Sequence, residues 1–158
     1  MRLVVLAIGR LKAGPERDLV ARYRERMVKA ARALGFRSLD LLEFDESRAA
    51  DADRRKSDEA TLIRKATVGR LVLFDERGDA LTSQAFAKQL GTWRDGGEEA
   101  VTFALGGPDG LDAALRKEAA LVLSFGAMTL PHQLARVLVL EQLYRATTIL
   151  SGHPYHRD

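Results

Sequence analysis

The chain has 158 residues, of which 46% are hydrophobic and 30% charged, and its formal net charge is +3. This length fits one domain with a substantial buried core, so we expect residues 1–158 to form a single domain. The sequence has no cysteine, which excludes disulfides, a thiolate nucleophile and a cysteine-bound metal.

The first predicted strand is an apolar run at residues 3–8 that stops at Gly9. The run is too short for the core of a signal peptide or for a membrane span, so we expect a cytoplasmic protein without a membrane partner. The following turn, GRLKAGPE, has the glycine spacing of a phosphate loop. Pro15 and Glu16 stand where Lys and Ser or Thr are needed, which argues against triphosphate hydrolysis. A Rossmann dinucleotide site is disfavoured as well, because no G-x-G-x-x-G motif follows this strand.

Residues 10–37 form a basic segment, with nine Lys and Arg against three Asp and Glu. Residues 38–62 reverse the balance, with eight acidic and four basic side chains. A basic segment can be the electrostatic footprint of a polyanionic partner. It is also typical of a solvated helix face whose arginines pair with Glu16, Asp18 and Glu25, and charge alone favours this second interpretation.

Apolar runs alternate with helical patterns along the whole chain. The predicted strands are residues 3–8, 39–44, 71–74, 101–105 and 121–125, and the predicted helices are residues 15–34, 49–67, 83–93, 111–120 and 132–150. Pro15 suits a first helical turn, and Thr82 or Ser83 can cap the third helix. Continuously apolar strands are typical of parallel sheets covered on both faces. The pattern predicts an α/β fold with an open, mostly parallel sheet and helices on both faces.

The last predicted helix, residues 132–150, is apolar on more than one face. Its apolar residues include Leu134, Val137, Leu138, Val139, Leu140, Leu143, Ile149 and Leu150. A helix that is apolar on two sides must be covered on two sides. One side can face the sheet, and the other needs a neighbouring helix of the same chain or a second subunit; the pattern favours neither.

Three unusual loops follow strands at the edge where open α/β sheets bind ligands. They are DERGDA, GGPDG at residues 106–110, and SFGAMTLPH at residues 124–132. The glycines of GGPDG allow a ligand to approach the main chain closely, although a plain turn would use the same residues. The small and apolar residues before Pro131 suit a pocket for a flat base and a thioether, although core packing is the alternative. No H-E-x-x-H motif or clustered carboxylates support a metal.

Several polar side chains near the C-terminus are candidates for chemistry or recognition. The tail SGHPYHRD holds two of the three histidines, and Pro154 prevents them from sharing a helix face, which argues against a metal site. His132 is expected to make a structural contact at a helix start. Arg145 follows Glu141 by four residues, so we predict a local ion pair. Arg136 has no acid at that spacing and is a candidate for contact with RNA or a second subunit.

The GGPDG loop, the segment SFGAMTLPHQLARVLVLEQLYRA and the terminal HPYHRD resemble the small SPOUT-class methyltransferases of the RlmH type (ribosomal RNA large subunit methyltransferase H). The resemblance extends over the whole chain and is most specific in its second half. It implies S-adenosylmethionine as methyl donor without a metal, and N3 of a pseudouridine in large-subunit (23S) ribosomal RNA as acceptor. It also implies a homodimer and a deep trefoil knot near the C-terminus.

The resemblance further implies which residues form the site. Those expected around the donor are Phe74, Gly106, Gly107, Phe125, Gly126, Ala127, Met128, Thr129 and Leu130. The catalytic candidates lie in the tail: His153, Tyr155 and His156 can share or remove the N3 proton, and Arg157 can hold a phosphate or stabilise a developing oxygen charge. Methyl transfer from a sulfonium depends mainly on positioning the two reacting atoms.

Two other function classes compete with an RNA methyltransferase. One is a non-catalytic RNA- or ribosome-binding α/β module that keeps the basic segment and binds no donor. The other is a nucleotide enzyme that binds phosphate at GGPDG, which the absence of a basic residue in the loop and the presence of Asp109 and Asp112 argue against.

Overall fold

The computed structural model describes residues 1–157. Its strands are β1 (Arg2–Ile8), β2 (Ser38–Phe44), β3 (Arg70–Ala80), β4 (Ala100–Leu105) and β5 (Leu121–Ser124). Its α-helices are α1 (Pro15–Ala31), α2 (Ala52–Ala66), α3 (Ser83–Asp95), α4 (Ala113–Glu118) and α5 (His132–Leu150), with a short 3-10 turn (Arg32–Leu34) after α1. The predicted alternation of strands and helices is confirmed.

The five strands form one sheet in the order β2-β1-β4-β3-β5, and neighbouring strands in it run parallel. Parallel pairing brings the carboxyl ends of the strands to one edge of the sheet. The loops that follow β4 and β5 therefore meet at that edge, beside the second half of β3.

Alternate residues of each strand enter two apolar cores, one on each face of the sheet. Leu3 and Val5 belong to a core that α1, α3 and α5 complete, whereas Leu6 and Ile8 pack with α2 and α4. Both faces of β1 are buried, which explains its continuous apolar run. The prediction of helices on both faces is confirmed.

Side-chain caps fix the starts of three helices. The Thr82 hydroxyl accepts a 3.1 Å hydrogen bond from the amide of Ala85 at the start of α3, as the sequence predicted. Asp51 and Asp112 cap α2 and α4 in the same way.

The third strand differs from the prediction, which ended it at Phe74 and made DERGDA a loop. In the structure β3 continues to Ala80, and its pairing with β5 shifts between Phe74 and Asp79. The intervening polar residues bulge out of the sheet. Because they do not pack regularly into either core, their sequence does not show the apolar pattern typical of the other strands. Gly78 passes β5 so closely that a Cβ there would lie 2.6 Å from the Leu123 carbonyl carbon.

Helix α5 lies between α1 and α3 on one face of the sheet. Helices of the same chain therefore cover part of its apolar surface, while Leu134 near its start remains 43% exposed. Within residues 1–157, no helix combines the length and the apolar character needed to cross a membrane. The knot implied by the resemblance stays a prediction.

Candidate active site

A cavity of about 570 Å³ opens at the carboxyl edge of β3, β4 and β5. Its walls come from the β3 bulge (residues 75–77), the GGPDG loop after β4 and the loop between β5 and α5. This volume is typical of sites for small-molecule ligands, and the position is the one that open α/β sheets use.

The residues predicted around a donor converge on this cavity. All of them except Ala127 line it: Phe74, Gly106, Gly107, Phe125, Gly126, Met128, Thr129 and Leu130. The rings of Phe74 and Phe125 stack with centroids 5.0 Å apart and planes within 12°. The wall therefore combines an aromatic surface with open main chain, a combination suited to a flat base.

The GGPDG loop is a tight turn whose main chain borders the cavity. The amide of Gly110 donates a 3.0 Å hydrogen bond to the Gly107 carbonyl, and Gly110 has φ +82°, a conformation that favours glycine. A Cβ on Gly106 would lie 3.0 Å from the Leu111 side chain. Glycine thus permits both the turn and its close packing.

The loop between β5 and α5 is held by hydroxyl contacts and leaves apolar side chains exposed. The Ser124 hydroxyl accepts a 3.0 Å hydrogen bond from the Gly126 amide, and the Thr129 hydroxyl donates a 3.4 Å bond to Glu76. Met128 is 83% exposed, and Phe125 and Leu130 are also exposed. Exposed apolar side chains are therefore grouped on this loop, at one side of the cavity, a pattern typical of interaction or ligand sites.

Charged residues that the sequence reasoning did not assign to the site also line the cavity. They are Lys56, Asp75, Glu76, Arg77, Asp109 and Arg116. The buried carboxylate of Asp75 lies 3.0 Å from Arg116, which also donates to the Leu111 carbonyl. The sequence feature that pointed to some of these residues was the unusual DERGDA segment, but this segment carries no family motif from which a role could be assigned. Among the described residues, no group of three or more histidines and acids can hold a metal ion.

The tail does not reach the cavity of its own chain. Gly152, at φ +68°, ends α5, and the chain folds back so that the Tyr155 ring lies 4.8 Å from that of Tyr144. None of His153, Tyr155, His156 and Arg157 lines the cavity. Their catalytic roles stay predictions.

Tyr155 is anchored and His153 is exposed. Burial, a hydrogen bond with Tyr23 and the charge of Glu141 raise the pKa of the Tyr155 phenol. This phenol therefore keeps its proton near neutral pH, so it donates a hydrogen bond to Glu141 and does not act as a proton acceptor. His156 places Nδ1 3.2 Å from a guanidinium nitrogen of Arg145, whereas Nδ1 of exposed His153 accepts a 3.2 Å bond from the Tyr155 amide.

The structure confirms the prediction made for one arginine of α5 and contradicts the one made for the other. Arg145 pairs with Glu141 at 2.6 Å, which confirms the predicted local ion pair. Arg136 is only 3% exposed, donates to Glu43 and to the Gly9 carbonyl, and has its pKa lowered by burial. The expectation that Arg136 contacts RNA or a second subunit was wrong, because its partner comes from β2 rather than from its own helix.

The basic segment forms few of the local pairs that the sequence suggested. Lys29 pairs with Glu25 at 2.7 Å. Arg17, Arg22 and Arg26 are exposed on α1 and form no salt bridge with any residue in the described range 1–157. Uncompensated positive charge is therefore available on this helix.

Comparison with known proteins adds to this geometry. A family model described as "Predicted SPOUT methyltransferase" matches residues 1–156. Proteins named ribosomal RNA large subunit methyltransferase H from a Bradyrhizobium species and from Sinorhizobium fredii are each 56% identical over 159 residues, covering 99% of both chains. The crystal structure of the SpoU methyltransferase AviRb from Streptomyces viridochromogenes with AdoMet covers 90% of this chain and 56% of its own, with 16% identity and a TM-score of 0.41.

Proposed function

Because the chain belongs to the SPOUT methyltransferase family, we propose that it transfers a methyl group from S-adenosylmethionine to large-subunit ribosomal RNA. The observation that carries the proposal is the cavity at the carboxyl edge of the sheet, lined by the residues that the resemblance assigns to the donor. A binding module without a donor would have no use for such a cavity.

The cavity fits this donor chemically. The aromatic pair of Phe74 and Phe125 and the main chain of Gly106 and Gly107 suit an adenine base, which needs a flat apolar surface and hydrogen-bonding groups. The carboxylate of Glu76 on the rim complements the positive charge of a sulfonium or an ammonium group. When bound, S-adenosylmethionine supplies an activated methyl group, so the protein has to position rather than activate it.

For the acceptor we propose N3 of a pseudouridine, whose imide proton must leave when the methyl group arrives. His153 is the candidate proton acceptor, because it is exposed and Tyr155 keeps its own proton. Its acceptor nitrogen is Nδ1, which takes the bond from the Tyr155 amide, so that bond has to open before Nδ1 can take the N3 proton. Tyr155 positions the tail, with His156 beside Arg145, and exposed Arg157 can bind a phosphate or the developing oxygen charge.

The placement of the tail supports a homodimer. Tyr155 contacts Glu141, about 13 Å along α5 from the cavity residue His132 at the usual helical rise. A two-fold axis perpendicular to α5 would set the helices of the two chains antiparallel, bringing the partner's tail toward this cavity. The exposed side chains of Met128 and Leu134 supply an apolar surface for that contact.

The basic face of α1 supports ribosomal RNA or an assembled ribosomal particle as the partner. Exposed Arg17, Arg22 and Arg26 can contact phosphates without first breaking salt bridges. A substrate of this kind places the protein in the cytoplasm, where ribosomes are assembled and work.

The test joins donor binding to product mapping. Calorimetry with S-adenosylmethionine is expected to show binding, and labelled donor is then supplied with naked 23S RNA, isolated subunits and whole ribosomes. Mass spectrometry of the methylated RNA should locate one N3-methylated pseudouridine. Absence of binding at millimolar donor would favour the non-catalytic RNA-binding module instead.

A further inference from the structure

We propose that Arg55 and Glu59 of α2 are positioning residues for the methyl donor: they hold the GGPDG loop in its binding conformation, and donor affinity depends on that support. The inference rests on the proposed function, because it takes the donor to bind at this loop. Neither side chain lines the cavity, so both would act through the loop.

Arg55 fixes the tip of the loop through a two-point contact. Its Nε and Nη2 lie 2.6 and 3.0 Å from the two carboxylate oxygens of Asp109. Its Nη1 donates 2.9 Å bonds to the carbonyls of Ala49 and Ala50, just before α2. The guanidinium is therefore anchored on both sides, a geometry that specifies position as well as adding energy.

Glu59 supports the start of the same loop from the interior. It is 3% exposed, and Oε1 accepts a 3.1 Å bond from the Ser47 amide. Gly107 packs so closely against it that a Cβ there would lie 3.1 Å from Oε2. Within the described part of the chain Oε2 forms no hydrogen bond of normal geometry, although the Gly107 amide lies close enough to the carboxylate to oppose the rise in its pKa.

A buried carboxyl group with an unpartnered oxygen is costly, and the bond from the Ser47 amide to the other oxygen offsets only part of that cost. Glu59 lies against the loop, and Gly106 and Gly107 of that loop offer a ligand only main-chain groups. The carboxyl group can therefore fix where those main-chain groups lie. The placement of those groups cannot be corrected by a side-chain rotation. A displacement of about 1 Å at such a site is enough to weaken the alignment of a bound ligand.

The chain contains a matched control for the Arg55 contact. Arg64, also on α2, makes a two-point contact with Glu118 at 2.8 Å for both bonds, and each pair joins residues 54 positions apart. Neither Arg64 nor Glu118 lines the cavity. Arg64 also lies 3.9 Å from Asp112, which caps α4 two residues after the loop. Glu118→Gln therefore removes a similar link from α2 without a direct contact to the GGPDG loop and is the cleaner of the two control variants.

The experiment compares two double-mutant cycles in the full-length protein. Arg55→Gln, Asp109→Asn and their combination are set beside Arg64→Gln, Glu118→Gln and their combination. Donor dissociation constants come from calorimetry, and hydrogen exchange of residues 106–110 is followed in the absence of donor. We expect Arg55→Gln to weaken donor binding roughly tenfold, equivalent to about 1.4 kcal/mol, and to speed exchange of the loop. The variant that combines Arg55→Gln and Asp109→Asn should bind donor only slightly more weakly than Arg55→Gln alone.

The control cycle should leave donor affinity within about twofold of the wild-type value and should not change hydrogen exchange of the loop. This should hold even where a control variant loses as much thermal stability as Arg55→Gln does. Glu59→Gln should also weaken donor binding, and Arg55→Lys should restore part of the affinity by keeping one contact. If the wild type binds donor and Arg55→Gln binds it equally well, the inference is wrong while the proposed function stands. If the wild type binds no donor, the proposed function itself fails.

Discussion

The phenol of Tyr155 donates a 3.1 Å hydrogen bond to Oε1 of Glu141. That oxygen also accepts bonds of 2.9 and 2.6 Å from Arg145, whose guanidinium lies 4.9 Å from the centre of the Tyr155 ring. One carboxylate thus links the tail to α5, which makes the tail a positioned element rather than a loose end.

Two substitutions of Tyr155 distinguish the role of its hydroxyl group from the role of its ring. Tyr155→Phe keeps the ring contacts and loses the hydrogen bonds with Glu141 and Tyr23, so we expect a loss of about 2 kcal/mol in unfolding free energy and nearly normal turnover. Tyr155→Ala also removes the ring and should lower kcat more than tenfold without changing the donor dissociation constant. Steady-state methylation and calorimetry measure both quantities. Equal losses of turnover in the two variants would assign the phenol itself to the chemistry.

Replacing His153 by alanine tests the proposed proton acceptor. Because general-base catalysis is typically worth a factor of 100 or more, kcat should fall about 100-fold while donor affinity stays constant. His156→Ala is the comparison, since that ring contacts Arg145 and its loss should act mainly on the stability of the tail. The opposite ranking of the two variants would assign proton removal to His156.

Leu134→Asp is expected to disrupt the proposed dimer, because it places a charge on the exposed apolar start of α5. Sedimentation should then show a monomer, and methylation should be lost. Val68→Asp changes a side chain that is also exposed but does not line the cavity, so it should leave both properties intact. A monomeric wild type would refute the prediction.

A mixing experiment asks whether the tail acts on the partner's cavity. Thr129→Lys adds positive charge to the cavity wall and should repel a cationic donor, while His153→Ala inactivates the tail. Dimers re-formed from both inactive variants should recover about a quarter of the activity, because half are mixed and each of those has one intact site. No recovery would mean that each tail serves its own chain.

Gly78→Ala should be unusually destabilising. Its Cβ would lie 2.6 Å from the Leu123 carbonyl carbon, so a strand must move, at a cost of about 3 kcal/mol or more. Gly97→Ala is the control: its φ is +84° with nothing within 4 Å of the added Cβ, so only about 1 kcal/mol of backbone strain is expected. Urea unfolding compares the two, and similar losses would contradict the close packing of β3 on β5.

Glu59 should make stability depend on pH. Burial raises the pKa of its carboxyl group, and Asp109 and Glu46 add to that shift against the opposing amides of Ser47 and Gly107. Above the unfolded pKa of about 4.3 the folded state holds more protons than the unfolded state, so this contribution is lost as pH rises through the folded pKa. Glu59→Gln should therefore gain stability relative to wild type as the pH rises from about 4 through the raised pKa of the folded state, and the difference should level off above that pKa. A pH-independent difference would refute this.

Local sequence pattern was sufficient where structure depends on neighbouring residues. The apolar run of β1, the Thr82 cap and the Arg145–Glu141 pair are all encoded within a few positions, and all were predicted. Arg136 was misjudged because Glu43 is 93 residues away, and only the sheet brings the two together. The continuation of β3 was missed because its polar bulge carries no alternation of apolar residues.

The cavity proposed to bind the donor was likewise only partly predictable from the sequence. Glycine loops and the segment before Pro131 could be assigned from residue types and a family resemblance, and they do converge on one cavity. Support of the GGPDG loop by Arg55 and Glu59 was not predictable, because an arginine and a glutamate on an amphipathic helix look like ordinary surface residues. Their roles depend on which loop the fold places against α2.

The order of strands in the sheet governs when a newly made chain can first bind its donor. β1 needs β4 to complete its pairing, and β3 lies between β4 and β5, so two of the three inner strands wait for later parts of the chain. The cavity also needs the loop that leads into α5. We therefore expect a growing chain to bind the proposed donor only after the segment that leads into α5 has been made.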